Sequence, residues 1–185
     1  MAKRPVTLLR TGARIERCAA RLSELFSLAR ELCPDGFPAE ETRELAALRD
    51  HVSLAYVDAL REEIAAKLAL DAGVLSRDLF SIHGCGPVSL HDDKFRYPGV
   101  YFVIVVAHSG RLGLVDHRDR ASRHEVGEIV LLDPHRKHAL VPVGLRARDH
   151  PYERTHSATH AAEDQFLFLD FDVKRPLLRE RFRRA

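Results

Sequence analysis

Cysteine is scarce in this chain, and its three copies, Cys18, Cys33 and Cys85, are odd in number and widely separated. They form neither a Cys-x-x-Cys pair nor a disulfide framework, which excludes a small disulfide-stapled fold. An excess of charge of one sign is also missing: 29 Lys and Arg stand against 27 Asp and Glu, a formal net charge of +2. An extended nucleic-acid footprint needs clustered, uncompensated basic residues, so that partner is not expected. Basic residues do gather in "MAKRP" and "KRPLLRERFRRA", where solubilising termini account for them. No apolar run reaches the length of a membrane span, and the N-terminus lacks the apolar core of a secretory leader. No membrane partner is expected, and a reducing cytoplasm is the expected compartment. Internal repeats and low-complexity segments are absent as well.

What is present is a chain of 185 residues, 45% of them apolar, enough to bury a core within one structural unit. Histidine is the outlier. There are eleven, and ten fall between His83 and His160. Imidazole is the commonest neutral metal ligand and titrates near neutrality, so such a cluster suggests a metal site or proton chemistry.

The chain divides near residue 74. Before it, the three-to-four spacing of Ile15, Cys18, Leu22, Leu25, Phe26 and Ala29 predicts an amphipathic helix over 13–32, stopped by "CPDGFP". A second helix is predicted from Pro38 to Gly73, with a break near His51 to Ser53. After it come short β-branched or aromatic segments, read as strands at 78–83, 87–91, 99–108, 111–117, 127–133, 138–143 and 165–173. "VYFVIVVA" and "QFLFLDFDV" are apolar on both alternating faces, as central strands covered on both sides should be. The expected fold is α+β: a helical part over 1–73 packed on a β sandwich or barrel over 74–185.

In an extended segment, residues i and i+2 project from one face, so His91 and Asp93 of "SLHDDKFRYPGVYF" present an imidazole and a carboxylate together. A third histidine on a neighbouring strand would complete a two-His, one-carboxylate set that leaves positions open on iron. His138, at the start of a strand in "GEIVLLDPHRKHALVP", has a fixed direction; His135 sits in the Pro134 turn and is the weaker choice. A second His-x-Asp, His117 with Asp119, lies only 21 residues before His138 and is read as a solvated turn.

The His-x-Asp pair, followed after several strands by "GEIVLLDPHRKHALVPV", resembles the 2-oxoglutarate- and Fe(II)-dependent oxygenases over roughly residues 79–173. That resemblance implies a double-stranded β-helix, or jelly roll, with iron held by His91, Asp93 and His138, and hydroxylation of a small-molecule or peptide substrate. The family usually has four strands between the pair and the distal histidine; three are clear here, and "RASRHEV" would have to supply the fourth. It also grips the far carboxylate of 2-oxoglutarate with a basic residue. Arg148 stands about ten positions beyond His138, with Arg146 second, whereas the residues entering the last strand, Glu163, Asp164 and Gln165, are not basic. Two other readings stay open. Gly127 to His138 also fits the second motif of a cupin-like metal-binding protein, and a non-catalytic jelly-roll binding module would carry the same strands. Loops 94–98, 117–126 and 144–164 are expected to rim the barrel mouth, the last as a lid. Arg96, Tyr97, Arg118, Arg120 and Arg123 on the first two suggest an anionic substrate.

Overall fold

Two antiparallel sheets form where the alternating apolar segments were read, as a computed structural model describing residues 7–150 and 163–184 shows. The strands are β1 (Leu8–Arg14), β2 (Arg43–Glu44), β3 (Phe80–Cys85), β4 (Val88–His91), β5 (Val100–His108), β6 (Leu112–Asp116), β7 (Glu128–Leu132), β8 (His138–Pro142) and β9 (Phe166–Lys174). The larger sheet has the order β1-β7-β5-β9-β3-β2, and the smaller one β4-β8-β6. Strands β5 and β9 pair along almost their whole length, from Val100 opposite Lys174 to His108 opposite Leu167.

Their two-sided apolarity has a direct cause. One face of the large sheet, carrying Val103, Val105, Leu167, Leu169 and Phe171, packs on helices α1 (Ala19–Leu32) and α3 (Leu54–Leu68) and on the C-terminal helix Arg175–Arg184. The other face, carrying Phe102, Ile104, Val106, Val130 and Phe166, meets Val88, Leu112 and Leu140 of the small sheet. Burying both faces removes the alternation that marks a half-exposed strand. The result is a mixed α/β fold with jelly-roll-like facing sheets.

The N-terminal part departs from the expected pure helix. Residues 8–14 form an edge strand on β7, with Leu8 opposite Leu132 and a bulge between Arg10 and Arg14. Here cross-strand pairing outweighs the helical spacing that begins at Ala13, and the helix starts only at Ala19. The second helix is broken as well, into β2, a single turn α2 (Ala46–Arg49), and α3. Ser53 caps α3 by accepting from the Tyr56 amide at 3.1 Å. Because β1 and β2 are the two edges of the large sheet, the first 73 residues share a sheet with the rest of the chain. "RASRHEV" supplies a single bridge, Arg120 with Arg146, in place of a fourth strand between β4 and β8. No helix among the described residues is long and apolar enough to cross a membrane.

Gly127 turns the chain into β7. Its φ of 84° lies in the left-handed region, and a Cβ there would sit 2.8 Å from the Ile15 carbonyl. Its amide donates to Val106 and its carbonyl accepts from Ile15, so this one residue ties β5, β7 and the segment just after β1 together.

Candidate metal centre and its cavity

His91 ends β4 and His138 begins β8, and the two are direct partners across the antiparallel ladder. Their rings lie 4.3 Å apart between centroids. Asp93 follows in the turn, held by its amide to the Pro134 carbonyl at 2.7 Å. Its Oδ2 lies 3.5 Å from Nε2 of each histidine. Ligand atoms of all three residues fall within 4.8 Å of one another, the one such group of three or more among the described residues.

A β-bulge aims the first histidine. Val88 opposes Leu140 and His91 opposes His138, so β4 carries one residue more than its partner between these points. Without it, strict alternation from Val88 would turn Leu90 inward and His91 outward. With it, Leu90 packs on the outer cluster of Val115, Ala121 and Ala139, and His91 faces the inter-sheet cavity. Glu40 secures this bulge: its carboxylate accepts from the Ser89 amide at 2.9 Å and from the Ser89 hydroxyl at 2.6 Å. The Ser89 carbonyl in turn accepts from Nδ1 of His91 at 2.7 Å.

The second ring is fixed in the same way, with Nδ1 of His138 2.9 Å from the Arg136 carbonyl. A carbonyl can only accept, so each Nδ1 carries a proton and each ring presents Nε2 to Asp93, the nitrogen that a metal would take in place of its proton. Burial works against charge on Asp93, but its contacts with His138 and His91 outweigh that and hold the carboxyl well below its usual range. Burial likewise lowers His91, and Asp93 and the Ser89 carbonyl more than offset it, leaving a net upward shift. Two imidazole nitrogens and an ionised carboxylate, oriented from behind, are the donor set of a first-row divalent metal.

These residues line a cavity of about 310 Å³ between the sheets, at the small end of the range for ligand sites. Val88, Phe102, Ile104, Leu132, Leu140 and Phe168 give it apolar walls. Among the described residues its ionisable lining is lopsided: the carboxyls of Glu40, Glu41, Asp92, Asp93 and Asp170 against the one guanidinium of Arg96. Asp170 is 6% exposed, on central strand β9, with Oδ1 3.3 Å from Nε2 of His83 on neighbouring β3. Close as they are, Oδ1 of Asp170 and Nδ1 of His83 have no hydrogen-bond partner. Burial, with Asp172 and Glu44 nearby, raises the Asp170 carboxyl well above its ordinary value. Burial lowers the His83 imidazole to about 4, so this ring is neutral near pH 7 and supplies Asp170 with no countercharge.

Of the residues singled out from sequence, His91, Asp93 and His138 are together, Arg96 and Tyr97 line the same cavity, and the others lie elsewhere. His135 points its Nε2 at the Tyr97 carbonyl, 3.0 Å away. His117 and Asp119 are exposed on a turn organised by Asp116, which accepts from the amides of Arg118 and Asp119. Arg148 is exposed and 3.7 Å from Asp149, and neither it nor Arg146 lines the cavity. Arg96 and Tyr97 do line it; Arg118, Arg120 and Arg123 do not. Of the loop expected as a lid, residues 151–162 lie outside those described. Sequence reasoning passed over Glu40, whose role depends on a bulge, and His83 with Asp170, which are 87 residues apart and meet only through β3–β9 pairing. Asp170, an acidic residue in the middle of the apolar "QFLFLDFDV", was the available signal.

No family model matches the chain, and no curated protein matches it. Among solved structures it is similar to a prolyl-4-hydroxylase from Pseudomonas putida, at 17% identity over 82% of this chain and 86% of that one, with a TM-score of 0.40. That likeness is too slight to carry a functional reading, which rests on the site's own atoms.

Proposed function

We propose that this protein is a mononuclear non-haem iron oxygenase built on a double-stranded β-helix, with iron held by His91, Asp93 and His138. The carrying observation is the convergence of two Nε2 atoms on one carboxylate oxygen, 3.5 Å from each. Such an ion supplies dioxygen activation when bound, because three protein ligands leave coordination positions for oxygen and substrate. The chain's own residues do the rest. The carbonyls of Ser89 and Arg136 hold the protons on Nδ1, and Glu40 and the Asp93–Pro134 hydrogen bond set the ligand positions. The apolar walls exclude water from a substrate held beside the ligands.

The second group implied by the resemblance, 2-oxoglutarate, does not fit the described residues. A dicarboxylate held in an apolar cavity needs a buried cation for its far end, since an unpaired buried charge is prohibitive. Arg96, the cavity's one guanidinium, is exposed on the turn after Asp93 and lies over the Tyr97 ring. The buried wall presents a carboxyl, Asp170.

The deciding experiment is metal analysis of untagged protein, with anaerobic Fe(II) titration followed by isothermal calorimetry. About one iron per chain is expected, and His138→Ala should abolish stoichiometric binding while leaving the far-ultraviolet circular dichroism unchanged. Retention of iron by that variant, or its loss in a His135→Ala variant alone, would overturn the ligand set.

A further inference from the structure

The carboxyl of Asp170 is placed where no structural need explains it. Strand β9 lies between β5 and β3, with Asp170 opposite Ile104 on one side and Ser81 on the other. It therefore cannot reach solvent by leaning over a sheet edge, and aspartate is among the residues least suited to a central strand. Its neighbours on the cavity face are Phe168, Phe102 and Ile104. A buried polar atom left without a partner costs about 1–3 kcal/mol, and native structures keep few of them. Here two stand together, Oδ1 of Asp170 and Nδ1 of His83, on residues that line the same cavity. The pair does not satisfy itself, since His83 and Asp170 approach to 3.3 Å without the alignment of a hydrogen bond. An unsatisfied acceptor in a cavity wall implies a ligand that donates.

The sign of the field narrows the class. Glu44 lies opposite His83 in the β2–β3 pair, and Asp172 stands two residues along β9 from Asp170. The ionised carboxylates of Glu40, Glu41, Asp92 and Asp93 stand at the same cavity, and Arg96 is the one guanidinium in its lining among the described residues. A neutral donor would satisfy the hydrogen bond only; a cation would also relieve the accumulated negative charge.

We propose that this wall of the cavity is a subsite for a cationic hydrogen-bond donor, an ammonium or amidinium group of the substrate, received by Asp170 beside His83. The apolar remainder of that substrate lies along Phe102, Ile104 and Phe168. The ordinary reason for a buried carboxyl to stay protonated is the lack of a countercharge; an arriving ammonium supplies one and takes the proton's place. This reverses the expectation of an anionic substrate drawn from the basic loops, because Arg118, Arg120 and Arg123 do not line the cavity. The inference deepens the oxygenase reading by naming its substrate class, but the subsite itself needs no metal.

The test uses matched probes of one shape on metal-free and iron-loaded full-length protein: benzylammonium, benzyl alcohol and benzoate, with 2-oxoglutarate added as a fourth. Binding is read by protein-observed NMR shifts or calorimetry at pH 7. Benzylammonium is expected to bind at least tenfold more tightly than benzyl alcohol, with benzoate and 2-oxoglutarate weaker still in the metal-free protein. Asp170→Asn should remove most of the preference for the ammonium over the alcohol. If benzoate or 2-oxoglutarate binds the metal-free protein more tightly than benzylammonium, or if the Asn variant keeps the full preference, the subsite is refuted. Should that variant fail to fold, the ranking of the four probes on the unaltered protein decides. Metal-free protein keeps the two readings separable: loss of the ammonium preference refutes the subsite whether or not iron binds, and failure of iron binding refutes the oxygenase reading whatever the probe ranking.

Discussion

At the scale of single residues, the site depends on side chains whose neighbours decide what they can do. His91 and His138 are ligands in waiting because backbone carbonyls hold their Nδ1 protons; His117, whose Nε2 accepts from Arg118 at 3.0 Å on an exposed turn, has no such arrangement. Replacing both His117 and Asp119 by Ala should leave metal content unchanged, and loss of metal in that double variant would reverse the assignment. Asp170 makes a prediction of the opposite kind. Its folded-state carboxyl titrates well above the ordinary value, so the folded state retains a proton that the unfolded chain releases. Stability from this group is therefore present below the ordinary carboxylate value and lost as pH rises above it. Asp170→Asn, which cannot ionise, should raise the melting temperature at pH 7. A lower melting temperature at that pH would contradict the burial argument.

At the scale of elements, two devices position the ligands. The first is the β4 bulge, whose extra residue is satisfied by Glu40, itself held at a φ of 58°. Glu40→Ala removes the acceptor from the Ser89 amide and hydroxyl and frees the strand to slip back into alternation, which would turn His91 away. Metal affinity is expected to fall by about 10–100-fold, the usual effect of losing an outer-shell partner. Unchanged affinity in calorimetry would show that the bulge holds without it. The second is the β7–β8 turn before His138. Asp133 there is 2% exposed and accepts from Arg175 at 2.7 and 3.1 Å, from Arg136 and from the His135 amide. Arg175 opens the C-terminal helix and lies 4.2 Å from the Tyr101 ring centre, so it ties that helix to the turn. Arg175→Ala should cost about 2–4 kcal/mol in denaturant unfolding, because it strips a buried carboxylate of its principal partner.

At the scale of the whole molecule, buried titratable groups set how the fold answers acid. Burial lowers His83 and His108 to about 4; His108 ends β5 and stacks on Phe26 of α1 at 3.6 Å, with Arg123 and Arg30 adding to the shift. The unfolded chain takes up these protons first, so stability is lost as pH falls from the ordinary histidine value of 6.5 towards 4. Glu128 adds a later step. Burial would raise it, but contacts with His124 and Arg10 hold it at about 2, so its contribution is lost between the ordinary 4.5 and that value. Asp170 acts in the opposite sense over this range, so the histidine contribution is read by difference: His108→Gln should lose less melting temperature than the unaltered protein between pH 7 and 4.5. An equal loss in both proteins would mean that His108 is not protected from protonation in the folded state.

Much of this molecule was legible in order of residues alone. Seven strands from Phe80 to Lys174 fall within two residues of the segments read from β-branched and aromatic runs, because a strand's side-chain period is local information. The His-x-Asp pair and His138 were legible for the same reason, as was Gly127, where only a residue without Cβ suits both the φ and the Ile15 carbonyl. What sequence could not decide is whatever depends on partners distant along the chain. Strand β1 overrides helical spacing through its pairing with β7. The bulge that turns His91 inward appears only against the β8 register. Arg148 has the expected distance in sequence from His138, yet the chain after β8 carries it outward into solvent beside Asp149. Asp170 and His83 face each other only because β3 and β9 are neighbours in the sheet. Period and composition are properties of a segment, whereas register, bulges and cavity charge arise from which segments meet, and these decided the chemistry of the cavity.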